Sequence, residues 1–261
     1  MFENNLVGFC ADGASNMQGK KAGLGALLKE SRPYLVVLHC LAHRLELCFK
    51  DTIVKSKLYD KSITLLLGLY YLYRKSPKMK KELKRSFKSL NKTQIIPTRV
   101  GGTRWLPHIS RAIANFEKGY LAIRNQLETA SHHNAKAEGL AKIASDGNVL
   151  IFLMSLKSVL SPLVRLSLSL QKEGLTLADA CVLLSATKNS LAHLPEETDV
   201  INEIQEGQYQ GQKIVFHGQK VKSQVTVLAK NMAKFIDERI PMAATPVIQA
   251  TSLSNFRNWP I

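Results

Sequence analysis

Two short apolar runs near the N-terminus constrain the fold most. Leu6 to Ala11 is stopped by Asp12-Gly13, and Tyr34 to Leu38 leads into His39-Cys40. Runs of this length bounded by turn residues read as buried strands, here over 6–12 and 34–38. Between them, residues 14–30 predict a helix with Met17, Leu24 and Leu28 on one stripe, stopped by Ser31-Arg32-Pro33. From Cys40 to Lys57, the residues Leu41, Leu45, Cys48, Phe49 and Ile53 again recur at helical spacing. Strand–helix–strand–helix predicts a parallel βαβ unit with a right-handed crossover. The carboxyl ends of such strands, where Asp12 falls, are where α/β folds hold polar chemistry.

The remaining chain predicts helices. Residues 58–75 form one that Ser76-Pro77 ends, and 78–90 form the next. A loop over 91–102, with Pro97 and Gly101-Gly102, runs into Thr103-Arg104-Trp105. Helical spacing resumes over 106–127, breaks at Ser131-His132-His133-Asn134, and returns over 147–172, 175–194 and 221–239. Ile204 to Val221 is a Gly/Gln-rich connection in which Val215-Phe216-His217 predicts one short strand. Pro241, Pro246 and Pro260 punctuate an aperiodic C-terminal stretch. The fold class is therefore α/β, mostly α, with segments 1–105, 106–240 and 241–261. No apolar stretch is expected to reach the roughly 20 residues of a membrane span. Residues 63–73 come nearest and read as a buried helix. The N-terminus lacks the layout of a signal peptide. Cys10, Cys40, Cys48 and Cys181 show no disulfide-framework spacing, which suits a reduced, intracellular setting.

Charge points to a partner. The net charge is +16, and a polyanion is the natural complement. The excess is local: between Arg74 and Arg104 eleven Lys or Arg residues face one acid, Glu82, a net +10. Within the 78–90 helix, Met79, Leu83, Phe87 and Leu90 make an apolar stripe, while Lys78, Lys81, Arg85 and Lys88 line another face. A charge run is commonly a solvated face, yet this density exceeds what solubility requires.

Three other features carry candidate chemistry, each with two readings. Asp12 is either the capping residue of an Asp-Gly turn or a ligand for Mg²⁺, which takes one or two carboxylates plus phosphate oxygens. Phosphoryl transfer by two metals needs further converging acids, and neither Glu46 nor Asp51 is placed to join. Cys40-x-x-His43, with His39 four residues before His43, is either half a zinc site or a packed strand–helix junction. No second ligand pair with suitable spacing accompanies it. Trp105 after Arg104 is either a stacking platform for unpaired bases or a helix-start residue in the core.

Together these residues resemble the catalytic core of the hAT (hobo/Activator/Tam3) transposases and the host proteins derived from them. The resemblance is carried by Asp12-Gly13-Ala14-Ser15-Asn16 at a strand end, Cys40-x-x-His43 within His39 to Leu45, and Thr103-Arg104-Trp105, in that order. It implies a truncated RNase H-like core over 1–105, a helical insertion over 106–240, and the style of domesticated segments in zinc-finger proteins. It also implies roles: Asp12 as the second acid of a metal-binding DDE triad, Cys40 and His43 as the family's structural C-x-x-H motif, and Trp105 as the residue that handles a flipped base. The family's first acid lies on a strand before the counterpart of Asp12 and its last glutamate follows the insertion, so this chain is expected to hold only the middle of a transposase. A two-stranded remnant would leave an exposed edge, and a partner or self-association is the expected remedy.

The leading expectation is a catalytically incomplete, nuclear, DNA-binding protein using Lys78, Lys81, Arg85, Lys88, Arg104 and Trp105, with no cofactor of its own. A metal-dependent DDE transposase or nuclease, with Mg²⁺ on Asp12 and acids from outside the chain, is the enzymatic alternative. A protein-interaction scaffold built on the helical segment is the third.

Overall fold

The computed structural model describes residues 5–102, 104–195, 198–215 and 224–241. In chain order the elements are β1 (Gly8–Ala11), α1 (Ser15–Gln18), α2 (Leu24–Ser31), β2 (Val36–His39), α3 (Leu41–Ile53), α4 (Lys57–Lys75) and α5 (Pro77–Ser89). There follow α6 (Trp105–Ser131), α7 (Ala135–Ala144), α8 (Gly147–Ser169), α9 (Leu177–Ala192), α10 (Thr198–Gln205), β3 (Gln208–Tyr209), β4 (Gln212–Lys213) and α11 (Val225–Arg239). The fold is mostly helical with a small sheet. Two compact units divide the chain: residues 1–52, 165–188 and 232–261 form the first, and 53–164 and 189–231 the second.

In the first unit β1 pairs in parallel with β2, Gly8 opposite Val36 and Ala11 opposite His39. The expected parallel pairing of two strands across intervening helix is present, with two corrections. Residues 14–30 form two helices because Gly19 and Gly23 both take extended backbone angles, and the amide of Gly23 donates to the carbonyl of Gly19 at 3.0 Å. The strands are also not buried: β1 alternates exposed and half-buried residues and β2 is half-buried throughout. Among the described residues each strand has one neighbour, so neither is enclosed on both edges there. α2 covers the sheet through Gly25, where a Cβ would stand 2.9 Å from Val37 Cγ1 and 3.4 Å from the Phe9 ring. Only glycine lets the helix sit that close.

α3 supplies much of this unit's core with Leu45, Cys48 and Phe49, beside Met232 and Ile236 from α11. The Cys48 thiol donates to the carbonyl of Phe235 at 3.2 Å, and Arg44 Nη1 donates to the carbonyl of Arg239 at 2.8 Å. Arg239 in turn pairs with Asp51.

The second unit is a helical assembly. α6 packs along α5 and α7, and α4 contacts α5, α6 and α7. A buried polar knot joins three of these helices: Tyr73 Oη donates to Gln126 Oε1 at 2.8 Å, while Gln126 Nε2 donates to Glu82 Oε2 at 3.3 Å and to Met79 Sδ. α7 follows the polar break at 131–134 and was not legible in the sequence. Its small residues pack on α4 and α6, and the Asn134 side chain caps it by accepting from the Ala137 amide. α10 ends inside the stretch read as a connection, at Gln205, and the β3–β4 hairpin lies within it. The hairpin turns through Gln210 and Gly211, both at positive φ, the two-residue geometry that strand twist favours. Val215 bridges to Asp146, while Phe216 and His217 of the expected strand lie outside the described residues.

One composition estimate is corrected. α8 is 23 residues long and apolar enough to cross a membrane. Of its most apolar window 72% is buried within the protein, and its Lys157 pairs with Glu117 at 2.8 Å. These are the features of a core helix.

Candidate functional site

The carboxyl ends of β1 and β2 gather the first group of candidate residues. Asp12, just past β1, is exposed, and its Oδ1 accepts from the Ala14 amide at 3.1 Å. This is the turn role of an Asp-Gly pair. Gly13 lies under the ring of the neighbouring strand's last residue, since a Cβ there would fall 2.8 Å from His39 Cε1. The His39 ring stacks on His43 at 5.3 Å, and its Nε2 is buried without a hydrogen-bond partner among the described residues. Burial, then the guanidinium of Arg44, lowers the His39 pKa below the usual imidazole range. Gln18 closes the cluster from α1, its Nε2 donating to the carbonyl of Leu38 at 2.9 Å.

Cys40 and His43 flank the start of α3. The Cys40 amide donates to the carbonyl of Ala11 at 2.8 Å, which ties the junction to β1. His43 is half-buried against His39. Among the described residues no three His, Cys, Asp or Glu side chains come together as a metal set. A two-metal phosphoryl-transfer centre needs several such ligands around the reacting phosphate. Among the described residues Asp12 and its neighbours do not by themselves supply that set.

The second unit holds the basic candidates. Ser76 caps α5 by accepting from the Met79 amide at 3.2 Å, and Pro77 occupies the first turn, where its missing N–H costs nothing. Met79, Leu83 and Phe87 are buried toward the neighbouring helices. A Cβ on Gly119 would lie 3.2 Å from the Phe87 ring, so α5 and α6 are in close contact there. Lys78, Lys81, Arg85 and Lys88 are all exposed, as the sequence spacing predicts. Lys80 and Lys84 share that exposure and widen the basic face to six side chains. Among the described residues no ion pair engages any of the six. Glu82, the one acid of the stretch, is drawn inward by Gln126.

Arg104 and Trp105 stand at the start of α6, both exposed, and Leu106 beside them is fully buried. Thr103 lies outside the described residues. The Met79–Gln126, Ser86–Ala122 and Phe87–Gly119 contacts make α6 antiparallel to α5. At 1.5 Å per residue, Trp105 lies roughly 20 Å along the α6 axis beyond the level of Phe87. The ridge and the Arg104–Trp105 pair are therefore separate features on one helix pair.

Three contributions escaped the sequence reading. Gln18 meets its carbonyl partner twenty residues away in sequence, which no local pattern reveals. Lys80 and Lys84 were visible as charges but not as members of the same exposed face. A cleft of about 230 Å³ between α4, α5 and the 91–102 loop is lined by Tyr70, Tyr73, Arg74, Lys80, Ile96 and Pro97. The loop closes it, and loop placement has no period to read. Compared with protein-family models, curated proteins and solved structures, the chain matches none of them.

Proposed function

We propose that this chain is a nucleic-acid-binding protein derived from an hAT-type transposase, with a partial RNase H-like core and without a complete catalytic centre of its own. DNA is the partner, the nucleus is the setting, and the α5 face is the principal contact. The observation that carries this reading is the six-cation exposed face of α5, free of ion pairs among the described residues, with its single acid turned inward. A lysine or arginine face left without acidic partners is suited to phosphates, because each contact releases condensed counterions. Arg104 and Trp105 add a cation and an aromatic plane for unpaired bases.

The test is the variant K78E/K81E/R85E/K88E assayed for DNA binding beside the wild type. These side chains are exposed, so folding is expected to survive the exchange. DNA affinity is expected to fall at least tenfold; unchanged affinity refutes the proposal. Asp12 at a strand tip supports the enzymatic alternative only where acids from a longer chain or a partner complete the site. Magnesium-dependent nicking that disappears in Asp12→Asn would establish it, and equal background in both proteins would dismiss it.

A further inference from the structure

The cleft beside the basic face differs from that face in its chemistry. The half-buried ring of Tyr70 and the side chains of Ile96 and Pro97 give it flat, apolar walls. Tyr73 contributes with its hydroxyl already engaged by Gln126, and burial pushes its phenol well above the usual range, so it is neutral. Arg74 and Lys80 bring two exposed cations with no ion pair among the described residues. The segment that forms the Ile96–Pro97 wall also holds two buried polar atoms without partners among the described residues, Gln94 Nε2 and Thr98 Oγ1.

An aromatic ring, apolar walls and two cations suit a planar heterocycle joined to an anion. The volume of about 230 Å³ lies below the range of drug-sized ligand pockets, which limits the occupant to one small group. Duplex DNA keeps its bases stacked inside and cannot present one to a cleft, whereas a single strand can. We infer that this cleft takes one unstacked nucleotide of a single-stranded nucleic acid, its base against Tyr70, Ile96 and Pro97 and its phosphate on Arg74 and Lys80. The inference rests on the nucleic-acid-binding reading above and gives that surface a preference for single strands. Lys80 belongs both to the α5 face and to the cleft, so a strand followed along the face reaches the cleft without leaving the protein.

The experiment compares fluorescence anisotropy of a labelled oligothymidylate with that of a labelled duplex of equal length, for wild type and variants. Wild type is expected to bind the single strand more tightly. Tyr70→Ala is expected to lose about 5- to 150-fold on the single strand and nothing on the duplex, the span that one lost base–aromatic stack gives. Tyr70→Phe, which keeps the ring, is expected to bind as wild type does. Because Tyr70→Ala risks disturbing α4, the double variant R74A/K80A provides a second reading from exposed positions. It is expected to weaken single-strand binding and to make its salt slope shallower by about 1.4, the value for two phosphate contacts on a single strand. Equal losses on both probes in Tyr70→Ala, or no loss on the single strand in either Tyr70→Ala or R74A/K80A, would overturn the inference; R74A/K80A is expected to weaken the duplex as well, because Lys80 also lies on the α5 face. Failure of the wild type to bind either probe removes the parent reading together with this one. Loss of duplex binding in the α5 charge reversal, with cleft variants that bind the single strand normally, removes this one alone.

Discussion

At the scale of single residues, the strand-end cluster is organised by hydrogen bonding. Asp12 holds the amide of Ala14, so Asp12→Asn, which keeps an acceptor oxygen, is expected to leave stability nearly unchanged. Asp12→Ala is expected to lose about 0.5–1 kcal/mol, since the bond is exposed; urea unfolding of the three proteins checks this. The titrating groups give a pH signature. Burial pushes the Cys48 thiol from 9.0 up to about 12, and burial likewise takes Tyr59 and Tyr120 from 10.0 to about 12. In the folded protein these groups keep protons that the unfolded chain releases, so stability is expected to fall as pH rises from about 9 toward 12. His39, lowered by burial, acts at the other end: its stabilising contribution is present above pH 6.5 and is lost on acidification below it. Melting temperature followed across pH reads both, and a flat profile above pH 9 would contradict the burial of these side chains. Asp12 was legible as a turn residue because Asp-Gly is a local signal. The His39 ring over Gly13 was not, because strand pairing brings it there.

At the scale of elements, the apolar stripe of α5 was readable at 79, 83 and 87, which are buried, whereas Leu90 of the expected stripe lies just past the helix and is half-buried, and Lys80 and Lys84 were not read as part of the cationic face. The interruption between α1 and α2 was missed because Met17, Leu24 and Leu28 kept helical spacing across it, and two glycines outweighed that spacing. α7 was missed for the opposite reason. Alanines and Gly139 make a weak hydrophobic stripe, and tertiary packing with an asparagine cap completes the helix. Two substitutions test the packing of these elements. Gly25→Leu would force a side chain against Val37 and Phe9 and is expected to destabilise by about 1–3 kcal/mol, measured by denaturant midpoint. Gln126→Leu removes the acceptor of the buried Tyr73 hydroxyl and the donor to Glu82, and about 1–3 kcal/mol is expected to be lost. A stability equal to wild type in Gln126→Leu would show that the α4–α5–α6 junction does not depend on that knot.

At the scale of the whole molecule, sequence revealed the mostly helical class and the charge excess, because both are sums over residues. It did not reveal that the chain divides into two discontinuous units, since segments far apart in sequence, such as 1–52 and 232–261, share one. Nor did it reveal the cleft, which exists only once the loop at 96–97 meets α4 and α5. The central claim is that an excess of positive charge, concentrated on α5 and without acidic partners, is a phosphate-binding surface. The salt dependence of DNA binding tests it most directly, as the slope of log affinity against log salt for wild type and for K78E/K81E/R85E/K88E. The wild type is expected to show a steep negative slope, and the variant one shallower by about 3 to 4, near 0.9 for each lost phosphate contact on duplex DNA. A wild-type affinity indifferent to salt, or one slope shared by both proteins, would contradict the account.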